Sequence, residues 1–315
     1  MPGPGVGGFT LGGGFSCLVL PNGTISRIDS TQPDLFFALK GGLNRFGIVT
    51  SIEYYTHAQP AIIYGGGAIY AADQIPAVLN ATSVFTSSNS DPKAQLITML
   101  QGSPNGSTAL VLFFYDGPTR PSSFAPFDDI PTVLNILQPQ SFSSFVEMFP
   151  TDTVANARGT FHTLSTSGLT IEFLAAVQNE TEARPTKLAK AMAKHSGTTV
   201  TYVVEPFLLS YGQKATDSAF PHANSPLPLN LWAAWTSAAD DAFWHSAMRE
   251  SVQALKVLAV REGIHTDEYA AYPNYAIAGT AAEELYGVEN AYRLRRIRRQ
   301  VDPHGVMGLA GGFEI

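Results

Sequence analysis

Residues 33–50 read Pro33-Asp34-Leu35-Phe36-Phe37-Ala38-Leu39-Lys40-Gly41-Gly42-Leu43-Asn44-Arg45-Phe46-Gly47-Ile48-Val49-Thr50. The stretch 34–40 has the apolar content of a helical turn or two, and Gly41-Gly42 ends it, since glycine reaches the backbone conformations that stop a helix. Residues 46–56 are rich in β-branched and aromatic side chains, which predicts a strand. Just upstream, residues 18–28 hold two short apolar runs around Asn22-Gly23, the dipeptide that best marks a tight hairpin. Farther upstream, residues 5–14 include six glycines. Ordering such a segment costs much conformational entropy, so it belongs where backbone must approach something closely. Its free N–H groups suit an anion. It lacks the Lys-Ser/Thr of a nucleoside-triphosphate loop, and the flanking strand and helix of a dinucleotide fingerprint. On its glycines alone it reads equally well as a phosphate cradle or a flexible structural loop.

Downstream of Pro60 the pattern changes. Strands are expected at 62–70, 95–101, 109–115, 169–177, 198–206 and 229–235, and helices at 74–85, 183–195 and 240–261. In the last helix Phe243, Met248, Val252, Leu255 and Leu258 recur at helical spacing. Strands separated by helix-bearing stretches predict an α+β layer of sheet and helices. The Pro/Ser/Ala-rich stretches 117–131 and 211–228 read as long surface loops. At the far end, 271–276 is a cluster of aromatic and amide residues. A helix over 283–300 carries Arg293, Arg295, Arg296, Arg298 and Arg299 and stops at Asp302-Pro303. That arginine run reads first as a solvated helix face and second as a phosphate site.

Composition narrows the function. The chain has 315 residues, 45% of them hydrophobic and 14% charged, which is enough apolar matter for a core and excludes general disorder. A formal net charge of −7 argues against a protein devoted to holding nucleic acid. There is no uninterrupted apolar run of about 18 residues to span a membrane. The single cysteine, Cys17, excludes an internal disulfide and any multi-cysteine metal site, and reads first as a small packed side chain. The histidines show no metal spacing, and His162, His195, His222 and His245 read as structural or exposed. Sequons at Asn22, Asn80, Asn105 and Asn179 suggest secreted, glycosylated ancestry. The opening Met-Pro-Gly-Pro has neither the basic nor the apolar part of a signal peptide.

Residues 5–14 and 33–50 resemble the FAD-binding domain (PCMH type) of the vanillyl-alcohol oxidase superfamily, berberine-bridge-enzyme-like branch. Tyr272-Pro273-Asn274-Tyr275, Tyr286-Gly287-Val288-Glu289-Asn290, Arg293-Leu294 and Asp302-Pro303 resemble that family's ending in order and spacing. The resemblance implies an α+β flavoprotein. A partial FAD-binding subdomain would be built from both chain ends, 1–58 and 266–315. A central substrate domain, 59–265, would carry a mainly antiparallel sheet covered by helices. It implies FAD as cofactor and hydride transfer to flavin N5 from a small-molecule alcohol, sugar or secondary metabolite, with O2 as a conceivable acceptor. It implies neither a nucleic-acid nor a membrane partner.

Carried over by position, Gly7, Gly8, Gly12, Gly13 and Gly14 would lie against the FAD diphosphate and flavin edge. Gly47, Ile48 and Val49 would touch FAD through backbone groups, and Asn274 would bond near the flavin. Tyr272 or Tyr275 would take the proton of a substrate hydroxyl, or both would serve as packing aromatics. Family members carry a further FAD subdomain ahead of the glycine-rich loop, with the His and sometimes Cys that bind flavin covalently. Those residues have no counterpart expected here, and the segment between the triple glycine and the next strand is reduced to a few residues around Cys17-Leu18. The expectation is weak or no FAD binding by this chain alone. The alternatives are a catalytically silent binding protein or an incomplete gene product whose export segment is lost too.

Overall fold

The computed structural model describes residues 13–54, 58–103, 106–148, 157–214, 217–221 and 227–315, without the side chains of 13–16, 54, 182–193 and 213–214. Along the chain run β1 (Gly13–Val19), β2 (Ile25–Ile28), α1 (Pro33–Leu39), β3 (Ile48–Tyr54), β4 (Ile63–Tyr70), α2 (Ile75–Ser88), β5 (Ala94–Ser103) and β6 (Gly106–Tyr115). Then come β7 (Leu134–Asn135), β8 (Gln138–Gln140), α3 (Phe142–Glu147), β9 (Arg158–Thr166), α4 (Ile171–Lys194) and β10 (Gly197–Val204). β11 (Leu227–Trp235), α5 (Asp241–Arg261) and α6 (Ala282–Val301) complete the order. The fold is α+β with antiparallel sheets. It divides into two compact units: Met1–His57 with Leu209–Pro226 and Thr266–Ile315, and Ala58–Leu208 with Leu227–His265.

In the first unit β2-β1-β3 form a three-stranded sheet. Asn22-Gly23 makes the expected hairpin: Gly23 sits at φ +84°, and its N–H donates to the Leu20 carbonyl at 2.8 Å. α1 buries Phe37, Ala38 and Leu39 in a core shared with Leu18, Phe46, Leu285, Tyr286, Leu294 and Ile297. That core joins residues more than 200 positions apart, which is why neither chain end can pack alone. The segment Leu209–Pro226 falls inside the stretch 59–265 expected for the central region, yet it belongs to this unit. Backbone bonds hold it there: the Ala219 N–H donates to the carbonyls of Phe37 (3.2 Å) and Lys40 (3.0 Å). The Asn290 amide donates to the Ala219 carbonyl at 2.9 Å.

In the second unit the sheet runs β7-β4-β6-β5-β10-β11-β9, with β8 also paired to β4. α2 and α5 lie on one face, marked by hydrogen bonds between Thr82 and Thr98 (2.8 Å) and between Tyr202 and Ser251 (2.6 Å). One expectation is corrected here. Of the stretch 169–177, residues 171–177 open α4 rather than a strand. Leu169, Phe173, Leu174 and Val177 are its buried positions, a spacing that fits a helix, and the Thr170 hydroxyl caps it by accepting from the Phe173 N–H at 3.1 Å. The strand next to it is β9, whose Thr-rich sequence hides a two-residue alternation.

Candidate functional site

In the first unit the resemblance can be checked residue by residue. Gly7, Gly8 and Gly12 lie outside the described residues. Gly13 and Gly14 open β1, where Gly13 pairs with Tyr54. Gly47 has φ +146°, and a Cβ there would meet the Val19 carbonyl at 2.6 Å and Leu18 at 2.9 Å. Glycine at 47 is thus required by intrachain packing, as at Gly42, where a Cβ would lie 2.3 Å from the Ala38 carbonyl. Ile48 is 60% exposed and Val49 packs on the core, as alternation along β3 dictates. Cys17 is half-buried in β1, and its carbonyl accepts from Thr50.

Tyr272, Asn274 and Tyr275 do come together. A backbone turn, with Tyr275 N–H to Tyr272 carbonyl at 3.0 Å, folds the two rings into an edge-to-face pair 5.0 Å apart. Asn274 donates its amide to the Tyr272 hydroxyl oxygen at 2.7 Å, leaving its own Oδ1 as an acceptor. Phe220 flanks Tyr272 with ring centroids at 5.5 Å. Two aromatic rings with an amide acceptor beside them suit a flat heterocycle carrying N–H groups, so these residues fit an isoalloxazine. The described glycines neither add to nor subtract from that fit.

Charges nearby are bound up in structure. Lys40 is 6% exposed, with its ammonium 4.5 Å above the Phe36 ring. Burial holds its pKa below the ordinary lysine value, Asp217 opposing and Arg293 adding to that shift. Three side chains of the arginine run are ion-paired: Arg293 bonds Asp34 and Asp217, Arg296 bonds Asp34, and Arg295 bonds Glu283, while Arg296 and Arg299 stay exposed to solvent. Arg293 also stacks 3.7 Å over Phe37, which ties α6 to α1. Arg45, 2% exposed, donates to the Phe313 and Gly312 carbonyls and so clamps the last residues. Tyr286 is buried with no hydrogen bond to its hydroxyl among the described residues, and burial pushes its phenol pKa upward against the effect of Arg45.

The second unit holds a set that sequence inspection missed. On the sheet face away from α2 and α5, Thr163 pairs with Asn230, which pairs in turn with Val203, and Thr201 lies two residues along from Val203. Paired residues share a face about 5 Å apart. Thr163, Thr201 and Asn230 are 3%, 1% and 7% exposed, yet Thr163 Oγ1, Thr201 Oγ1 and Asn230 Oδ1 make no hydrogen bond among the described residues. Each such omission costs about 1–3 kcal/mol, and three of them fall on one face of the sheet. Among the histidines, His195 bonds Asp240 at 3.1 Å and His245 packs edge-on to Trp235, while His222 lies outside the described residues. No group of metal-ligating side chains and no helix long and apolar enough to cross a membrane occurs among the described residues.

No family model matches the chain. An uncharacterized FAD-linked oxidoreductase of Arthroderma benhamiae is 36% identical over 163 residues, 46% of this chain and 32% of that protein. The FAD-dependent monooxygenase sdcF of Emericella nidulans is 28% identical over 345 aligned residues, covering 99% of this chain and 70% of its own. Among solved structures, 6-hydroxy-D-nicotine oxidase from Arthrobacter nicotinovorans superposes with a TM-score of 0.68 at 18% identity, over 93% of this chain. A Physcomitrella patens protein, BBE-like 1, does so with 0.71 at 16%, over 94% of this chain. This chain spans 64% of the length of each of those two solved chains.

Proposed function

We propose that this chain, which has the fold of the berberine-bridge-enzyme-like flavin oxidases and is related in sequence to FAD-linked oxidoreductases, is itself an FAD-dependent oxidoreductase. The observation that supports the reading is the Tyr272–Asn274–Tyr275 cluster. What FAD supplies when bound is a two-electron acceptor for hydride from the carbon of an alcohol, sugar or secondary metabolite. Dioxygen as final acceptor is part of the same proposal. The chain's own part is orientation and proton handling. Asn274 donates to the oxygen of Tyr272, so an N–H already faces the atom on which charge develops when Tyr272 gives up its proton. Once its own proton has passed to water, Tyr272 takes the proton of the substrate hydroxyl as a phenolate and returns to the phenol, and Tyr275 fixes its ring.

The test is absorption after gel filtration of protein purified in excess FAD, followed by anaerobic addition of benzyl alcohol, D-glucose or cellobiose. Against the expectation of weak FAD binding drawn from the sequence, the proposal expects retained flavin bands that bleach with at least one of these. Colourless protein after saturating FAD would overturn it. In protein that retains flavin, Tyr272→Phe should slow bleaching at least a hundredfold with FAD retention unchanged, the range for loss of a proton acceptor, roughly 10²–10⁴-fold.

A further inference from the structure

On the helix-covered face of the second unit, at the β4 edge, the sequence Tyr64-x-Gly66-x-Ala68-x-Tyr70 puts two tyrosines and two small residues on one side of a strand. Gly66 and Ala68 pair with Phe113 and Val111, so this is the face opposite the Thr163, Thr201 and Asn230 set. Between the tyrosines the side chains shrink, and a slot opens. Gly66, at φ +151°, admits the backbone of Ile136, whose carbonyl oxygen would lie 2.3 Å from an added Cβ. The Val133 N–H donates to Ile69 (2.7 Å) and the Ile136 N–H to Gly67 (3.0 Å), so residues 133–136 become a wall. The resulting cavity of about 450 Å³ has Ala68 as floor and Tyr64, Tyr70 and Phe127 among its walls.

Its polar atoms are arranged for a ligand. Tyr70 is 2% exposed, and it lines the cavity. Burial pushes that phenol up to about 12, so it stays a donor at any ordinary pH. Arg120 and Asp128 form an ion pair at the mouth, with Asp129 beside them. Asn135 spends its Oδ1 on the Leu137 N–H at 3.1 Å, which leaves its amide hydrogens free to donate. One arginine against two aspartates leaves the mouth without the positive charge an anion needs. Aromatic walls take the C–H face of a ring, and a guanidinium beside a carboxylate takes neighbouring hydroxyls in pairs. We propose that this cavity binds a neutral saccharide of one or two rings, independently of the oxidoreductase site.

The test is calorimetry and saturation-transfer NMR on the full chain with maltose, cellobiose and N,N′-diacetylchitobiose as probes. The expected result is millimolar or tighter binding of at least one of them. Tyr70→Phe should weaken it about five- to thirtyfold, and Ala68→Leu should abolish it by filling the floor. Val257→Ala, at an exposed position of α5, should leave it unchanged. Should Ala68→Leu fail to fold, Tyr70→Phe, which removes a single oxygen, still decides the matter. Absence of binding by all three sugars to folded protein overturns the proposal. So does binding that survives Tyr70→Phe.

Discussion

Asp302 accepts hydrogen bonds from the N–H groups of Val306 (2.8 Å) and Met307 (2.9 Å) while only 3% exposed. Two charge-assisted bonds in a buried place predict that Asp302→Ala costs about 2–3 kcal/mol in urea unfolding, and that Asp302→Asn recovers part of it. His162 makes a different prediction. Burial, with Arg249 adding, lowers its pKa from 6.5 to about 4, so the folded state resists its protonation. Stability is then full above pH 6.5 and falls as pH drops through the window from 6.5 to about 4, by ~3 kcal/mol at most. His162→Gln should flatten that part of a stability-versus-pH curve, and an unchanged slope would show the acid sensitivity to lie elsewhere. At this scale the sequence was legible only where residues act within a short stretch. Tyr272, Asn274 and Tyr275 are near neighbours, so one turn unites them. Thr163, Thr201 and Asn230 meet only through the register of three strands, and nothing in their immediate flanks announces it.

Turns and helix ends followed local chemistry. Asn22-Gly23 gives the hairpin and Gly41-Gly42 the stop after α1, because each depends on a few consecutive residues. Residues 169–177 were misread because β-branched and aromatic side chains suit either structure until tertiary packing decides. The same limit hides β9, whose burial rises only over Thr163–Thr166, where its neighbour β11 is already apolar. Close approach between elements also makes a prediction. Gly47 sets β3 against β1 at a φ and a spacing that no side chain tolerates. Gly47→Ala should therefore destabilise the first unit by about 2 kcal/mol or more, read as a lowered midpoint in denaturant. An unchanged midpoint would mean that β1 and β3 separate at little cost.

The two units differ in how the chain supplies them. The second draws on two long stretches, whereas the first needs three that are far apart in sequence. Its core passes from α1 to α6, fastened by Arg293 through Asp34 and Phe37. Hydrogen exchange followed by mass spectrometry should therefore show the amides of 33–39 and 282–301 opening together with one free energy. Independent opening of the two would contradict a shared core. That arrangement also sets a clock. A ribosome adds about 5–20 residues per second, so Phe46 waits roughly 12–50 s before Leu285 has been made. During that interval Leu18, Phe37 and Phe46 have no partner to cover them, and the nascent chain is a natural client for chaperones. Slower elongation lengthens the exposure, so the yield of folded protein should depend on how fast the message is translated as well as on what it encodes.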